Sequence, residues 1–297
     1  MRVVIAGSSG LIGTALVSHL REAGHDVLRL VRRAPAAPDE RGWDPPAGRV
    51  DDGTFDGVDA VVNLCGNPQA PRPWTGAYKQ AMRDSRLVPT EVLAAAVAEH
   101  RVPTLVNASG INYYGDTGPD AVDEKGPAGT TGFLTVLSRD WEAATAPAAA
   151  GGARVVPMRT GLVLSPSGGL LGTLRPLFRM GLGGRLGSGR QYMSCISLDD
   201  HVGAIRYVVE HDAITGPVNS TGPQAVTNAE FTSTFAAVLG RPAVFAVPSF
   251  GIRLVLGEAG EELALTSIRV VPAVLEGAGY QYRHRTVREM LAAAVGS

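Results

Sequence analysis

The stretch Met1-Arg-Val-Val-Ile-Ala-Gly-Ser-Ser-Gly-Leu-Ile-Gly13 constrains the fold more than any other, because it joins a strand, a glycine turn and a helix start. Val3, Val4 and Ile5 are β-branched and suit the first buried strand of a parallel sheet. Gly7, Gly10 and Gly13 follow as G-x-x-G-x-x-G, and the apolar positions Leu11, Leu16, Val17 and Leu20 carry a helical pattern as far as Gly24. A dinucleotide needs this arrangement: glycines let the backbone approach a pyrophosphate, and the helix start offers unpaired N–H groups and a positive dipole end. A plain strand-to-helix turn is the alternative, but it requires fewer glycines.

Composition narrows the function further. A chain of 297 residues, 45% hydrophobic and 19% charged, can bury a full core as one α/β unit or as a domain with a smaller lobe. With a net charge of −1 it has no electrostatic grip on nucleic acid or an anionic membrane. Of its 27 basic residues only Lys79 and Lys125 are lysines, so lysine chemistry is confined to two positions. Cys65 and Cys195 share no C-x-x-C spacing, which predicts a reduced, cytoplasmic setting. No apolar span reaches 18 residues and no export leader is evident, so a soluble chain without a membrane helix is expected. No metal site is expected.

Along the chain, Asp26 to Val31 reads as the second strand, followed by Arg32 and Arg33 where an NAD-selective site would place an acidic residue. The two arginines can fork onto a 2′-phosphate; two solvated surface arginines are the other reading. Residues 34–57 read as a long loop with one short strand at Arg49-Val50, and Asp59 to Leu64 as a buried strand delivering Leu64, Cys65 and Gly66 to the cofactor. A helix from Gly76 to about His100, broken near Pro89, carries Arg83 and Arg86 on one face, for a phosphate or for solvent. Thr104 to Ala108 is the next strand. It brings Ser109, Tyr113 and Tyr114 to the same sheet edge, where a serine can hold a substrate oxygen and a tyrosine move its proton; core tyrosines are the alternative.

Further on, Phe133 to Ala150 reads as a helix and Ala153 to Leu164 as a strand ending in Arg159-Thr160-Gly161. A glycine-rich stretch from Ser165 to Gly189 begins a substrate-covering lobe. A helix then opens at Ile196 to Asp200 with His201 in its first turn, read as a cap-region or surface histidine. Val218 to Ser220 is a late strand, and Thr227 caps a helix over Asn228 to Leu239. No internal repeat is present.

Several separated motifs occur in order: Gly-Ser-Ser-Gly-Leu-Ile-Gly, Asn63-Leu-Cys-Gly66, Trp74-Thr75 with Ser85-Arg86, Ala108-Ser109 through Tyr113-Tyr114-Gly115, Arg159 to Leu164, and Gly181 to Gly184 with Gly187-Ser-Gly189. In the tail stand Asn228 to Phe231, Gly240-Arg-Pro242, Val271-Pro272 and Gly279 to Tyr282. Together they resemble the atypical, extended-type short-chain dehydrogenase/reductases, an epimerase-like NADP-binding family. The resemblance implies a Rossmann-type doubly wound parallel sheet with a smaller α+β substrate lobe at the C-terminal side. Residues 1–164 would form the NADP-binding domain, with 196–220 returning to it, and 165–297 the lobe and C-terminal domain. The implied cofactor contacts are Gly7, Ser8, Ser9, Gly10, Leu11, Ile12, Arg32, Arg33, Leu64, Cys65, Gly66, Arg86, Ser109 and Thr160. Two departures stand out: Ser194-Cys195-Ile196-Ser197 replaces the family's Ser-Trp-Ile-His, and Asn112 occupies a position where the family usually has glycine.

In that superfamily a tyrosine is activated by a lysine four residues later, and no Tyr-x-x-x-Lys exists in this chain. Counting back from Glu142, the two positions fall near Leu134 and Ser138. An acid must come from elsewhere, and Ser109 with Tyr113 or Tyr114 is the hydroxyl cluster that strand order supplies. Without an adjacent cation the phenol should stay near its reference pKa of about 10, a donor for reduction and a poor base for oxidation. The expected function is an NADP(H)-dependent oxidoreductase or epimerase of slow, reductive habit, acting on a small hydroxyl- or carbonyl-bearing substrate. The rival is a catalytically weak NADP(H)-binding sensor. Monomer and homodimer both remain open.

Overall fold

Side chains alternate across a strand, so Val3 and Ile5 face one side of the first strand and Val4 and Ala6 the other; all four are buried. Such a strand needs a helical layer on each face. The structure, a computed structural model describing residues 1–69 and 72–296, has both layers. Its central sheet holds β1 Arg2–Ala6, β2 Asp26–Val31, β3 Glu40–Asp44, β4 Arg49–Val50, β5 Ala60–Asn63, β6 Thr104–Gly110, β7 Arg154–Thr160 and β8 Val218–Ser220. The order across the sheet is β8-β7-β6-β5-β1-β2-β3-β4, parallel except for the antiparallel pair β3 and β4. On one face Val3 and Ile5 join Leu16 and Leu20 of α1 (Leu11–Glu22) and Ile205 and Val208 of a later helix. On the other, Val4 and Ala6 join Leu93, Ala94 and Val97 of α2 (Gly76–Glu99). The expected doubly wound Rossmann-type α/β fold is what forms.

Four local readings need correction. β3 falls inside the expected loop 34–57, pairing in parallel with β2 through Arg29↔Glu40 and Val31↔Gly42. Pro89 does not break α2: its ring removes one backbone donor, but Met82 and Arg86 before it and Leu93, Ala94 and Val97 after it are buried, and the helix runs on from Gly76 to Glu99. The expected helix 133–150 divides into α3 (Phe133–Ala143) and α4 (Ala146–Ala150), restarting at Pro147 in the first turn of the second. The expected strand 153–164 divides at Gly161, where a Cβ would stand 2.4 Å from the Ser194 carbonyl oxygen. Beyond it Leu162–Ser165 leaves the sheet and pairs with Cys195–Ser197.

The rest of the chain includes α5 (Gly169–Arg179), α6 (Leu198–Glu210), α7 (Asn228–Leu239), α8 (Ser249–Leu256), α9 (Ala273–Gly277) and α10 (Val287–Gly296). α7 starts at Thr227 as expected, and the structure adds a reciprocal capping box with Glu230. A separate small core gathers Leu171 and Phe178 of α5, Phe231 and Phe235 of α7, and Met290 and Leu291 of α10. The C-terminal stretch is also tied to the central sheet. Asn219 of β8, at the sheet edge, donates its side-chain amide to the Val271 carbonyl (2.9 Å), and Glu124 Oε1 accepts from the backbone N–H groups of Asn219 (3.0 Å) and Val274 (3.2 Å). Among the described residues no helix is long and apolar enough to cross a membrane.

Candidate active site at the carboxyl ends of the strands

The glycine turn lies where a doubly wound sheet receives its ligand, between the carboxyl end of β1 and α1. Gly7 has φ +80°, and a Cβ on it would meet the Leu64 carbonyl carbon and oxygen at 2.8 Å. A Cβ on Gly13 would stand 2.2 Å from the Gly7 oxygen, so only glycine lets the helix press this closely on the turn. α1 begins at Gly10 with no side-chain cap and no acidic residue in its first turn. Its first N–H groups and positive dipole end are therefore left for an anion. Ser8 is buried, Ser9 and Gly10 are exposed, and Leu11 and Ile12 are half-buried. The Leu11 methyls lie 3.6 to 3.9 Å from where Gly168 and Gly169 would carry Cβ atoms, so the start of the 165–189 stretch borders the turn.

At the end of β2 the two arginines part company. Arg33 forks onto Glu40 of β3 at 2.8 and 2.6 Å, and that contact holds the Glu40 carboxyl down at about 2. The expectation of no acid near this position is corrected: Glu40 sits seven residues on and arrives through β3, inside the expected loop 34–57. Arg32 is exposed and no ion pair holds it among the described residues.

Leu64 and Cys65, half-buried, and exposed Gly66 follow β5 directly. Burial pushes the Cys65 thiol up to about 12 despite the opposing charge of Arg32, so it is no thiolate. A Cβ on Gly66 would touch the Arg86 guanidinium carbon at 3.0 Å. Arg86 is itself buried, donates to the Met82 and Asn67 carbonyls (both 3.0 Å) and lies 5.1 Å from the Trp141 ring centroid. No carboxylate pairs with it among the described residues, and burial lowers its pKa to about 10. A buried guanidinium held only by carbonyls and an aromatic face retains attraction for an anionic ligand. Arg83, its helix-face neighbour, is committed to Asp140.

The hydroxyl cluster is brought together, but two of its members are engaged. Ser109, buried at the end of β6, donates to Glu142 Oε1 at 2.7 Å. Glu142 of α3 also takes a two-pronged contact from Arg159 of β7, both arms 2.9 Å. Arg159 in turn donates to the Tyr114 hydroxyl at 2.9 Å, and that hydroxyl donates to Asn219 Oδ1 at 2.7 Å. The expectation that no cation adjoins the tyrosines is therefore wrong, and so is a reference phenol pKa for Tyr114. Burial dominates over Arg159 and raises it to about 12. Tyr113 is half-buried, its ring lies 3.5 Å beneath the Arg159 guanidinium, and its hydroxyl bonds to nothing among the described residues. Thr160, half-buried at the end of β7, returns its hydroxyl to the Met158 carbonyl at 3.1 Å.

Arg159, Glu142 and Asn219 are the residues that spacing could not assign. For Arg159 and Glu142 the signal is opposite charge inside apolar patterns, Met158-Arg159 on a strand and Trp141-Glu142 on a helix; uncharged Asn219 carries none. His201 corrects another expectation: it is fully buried in α6, bonded to Ser220 Oγ at 2.7 Å, and burial lowers its pKa to about 4.

Comparison with known proteins agrees with this geometry. The family model described as the NAD dependent epimerase/dehydratase family matches residues 3–219, and a domain of unknown function, DUF1731, matches residues 247–294. The epimerase family protein Mb2239 of Mycobacterium bovis is 55% identical over 97% of this chain and 96% of its own length. The crystal structure of human epimerase family protein SDR39U1 (isoform 2) with NADPH superposes with a TM-score of 0.90 at 33% identity, covering both chains fully. A nucleoside-diphosphate sugar epimerase from Corynebacterium glutamicum gives 0.83 at 36% identity over the whole of this chain and 58% of that one. The glycine turn, the strand order and these likenesses converge: the chain belongs to the NAD dependent epimerase/dehydratase family, with the extended short-chain dehydrogenase/reductase fold.

Proposed function

We propose that this protein is an NADP(H)-dependent oxidoreductase or epimerase-like enzyme that acts on a small hydroxyl- or carbonyl-bearing substrate and favours reduction. The observation that carries it is the uncapped helix start at Gly10, packed on Leu64 through Gly7, with the unpaired Arg32 at the next strand end. The solved human relative holds NADPH. Gly7, Ser8, Ser9 and Gly10, with the N–H groups of Leu11 and Ile12, take the pyrophosphate; Arg32 takes the 2′-phosphate. Arg86 beside Gly66 supplies a second positive site, while Leu64, Cys65, Ser109 and Thr160 border the nicotinamide side. Residues 1–164 with 196–220 are assigned to cofactor binding and the remainder to covering substrate. The bound nicotinamide supplies or accepts a hydride.

Of the three hydroxyls, Tyr113 is the one free to give a proton to a substrate oxygen. Arg159 keeps its ring in place by stacking. Ser109 and Tyr114, closed on Glu142 and Asn219, shape the site and leave the proton to Tyr113. The test is loss of NADPH absorbance across a panel of small aldehydes and ketones. Turnover should fall at least about ten-fold in Tyr113→Phe, the low side of what a positioned proton donor contributes. A Tyr113→Phe variant that keeps the wild-type rate overturns this assignment. A second reading, an NADP(H)-binding sensor, is supported by Leu134 and Ser138, neither of which carries a phenol or an ammonium. It gains if NADPH binds and no carbonyl is consumed.

A further inference from the structure

Three polar groups converge on the end of β6 and have no partner among the described residues. The strand stops at Gly110, and a Cβ there would lie 3.4 Å from Asn112 Oδ1, 3.6 Å from Ser138 Oγ and 3.8 Å from the Asn112 backbone nitrogen. That nitrogen belongs to the first turn of the short 3₁₀ helix Ile111–Tyr114, where N–H groups have no acceptor within the helix and Gly110 offers no capping side chain. Ser138 is buried, with 5% exposure, yet among the described residues its hydroxyl takes neither a carbonyl of its own helix nor any other acceptor. Its oxygen is not fully enclosed and stays open to a ligand.

The position of Ser138 is fixed rather than incidental. It precedes Glu142 by one turn of α3, on the same helix face. Glu142 is pinned to Ser109 of β6 and Arg159 of β7, so the face that holds Ser138 is anchored against the strand ends. The same contacts occupy both Glu142 oxygens and leave the notch without a free charge. The Asn112 amide and the Ser138 hydroxyl can each donate or accept, so the notch suits both a ketone and the alcohol it becomes.

We propose that Asn112 and Ser138, beside the bare edge of Gly110, bind the reacting oxygen of an uncharged carbonyl or carbinol substrate. The inference rests on the NADP(H) reading and refines it, since Ser109, the serine that spacing suggested for this task, is turned onto Glu142.

The test titrates isobutyramide, a neutral carbonyl probe, into the protein saturated with NADPH and follows the reduced nicotinamide's fluorescence. Wild type should bind the amide saturably. Asn112→Ala and Ser138→Ala should each weaken it roughly five-fold, the loss of one neutral hydrogen bond, with NADPH affinity kept within about two-fold. Gly110→Ala should abolish it; φ is −132° there and the added methyl meets only ordinary contacts, so the variant folds. Amide binding that survives all three substitutions overturns the inference, as does wild type that holds NADPH but ignores the amide. Isobutyrate binding as tightly as isobutyramide overturns the assignment to an uncharged oxygen. Absence of NADPH binding withdraws the cofactor reading, and this inference with it.

Discussion

Replacing Arg32 by alanine should remove the preference for NADPH, whereas replacing Arg33 should not. Arg32 is exposed at the end of β2 and no ion pair holds it among the described residues, so its whole guanidinium is available to a 2′-phosphate. A charge-assisted contact of this kind contributes about 1.5–3 kcal/mol, or roughly ten- to a hundred-fold in affinity. Exposure places Arg32 toward the lower end of that range, because water and salt screen the pair. Arg33 differs: both terminal nitrogens lie on Glu40, whose side chain is only 2% exposed and which also accepts from the Ala36 N–H at 2.7 Å. Turning Arg33 toward a phosphate would leave the buried carboxylate with only the longer 3.1 Å contact from Arg29, and in the pair as it stands the Glu40 charge offsets that of Arg33. Fluorescence titration with NADPH and NADH decides the matter. Arg32→Ala should weaken NADPH about ten-fold or more and leave NADH within about two-fold, with a smaller difference at high salt. Arg33→Ala should keep the preference within about three-fold and lower stability instead. Loss of preference in Arg33→Ala with its retention in Arg32→Ala would refute the reasoning.

Other outcomes are equally open to measurement. His201 is buried with its pKa lowered to about 4 from 6.5, so the unfolded chain binds a proton in that interval that the fold does not. Its contribution is complete above about pH 6.5 and falls as pH drops toward 4, by at most about 3 kcal/mol; denaturant midpoints at about pH 7.5 and about pH 5 should differ less in His201→Gln. Glu142→Gln leaves the buried Arg159 short of its charge partner and should cost about 3–5 kcal/mol in chemical denaturation, part of it recovered by adding Arg159→Met. Gly13→Ala should push the Gly7 carbonyl aside, at about 1–3 kcal/mol and a ten-fold or greater loss of NADPH affinity; undiminished binding would detach the turn from the cofactor.

What could be read in advance was whatever local sequence decides. β2 spans Asp26–Val31 as read, and Thr227 caps α7 as read, because β-branched runs and capping residues act on their neighbours. β3 was missed since Glu40-Arg41-Gly42-Trp43-Asp44 has one large apolar residue; its pairing with β2 and the Arg29 and Arg33 ion pairs, not propensity, make it a strand. Pro89 misled in the other direction, because burial on both sides of it outweighs a missing hydrogen bond. At the site, the glycine turn was legible and the cation over Tyr113 was not. Arg159 reaches that ring only because β7 lies next to β6, a neighbourhood no spacing rule encodes.

The stitching of β8 has a consequence for how the chain is made. β8 is the edge strand of the sheet, and the carbonyl of Val271 and backbone N–H of Val274 that complete its network with Glu124 are synthesised about fifty residues later. At a synthesis rate of about 5–20 residues per second, the sheet waits several seconds with that margin unfinished. An unfinished margin is a template for other chains, so the nascent protein passes through an interval in which it is most prone to stick to its neighbours. Slow codons between positions 220 and 271 should lengthen that interval and lower the yield of native protein without altering a single residue of it.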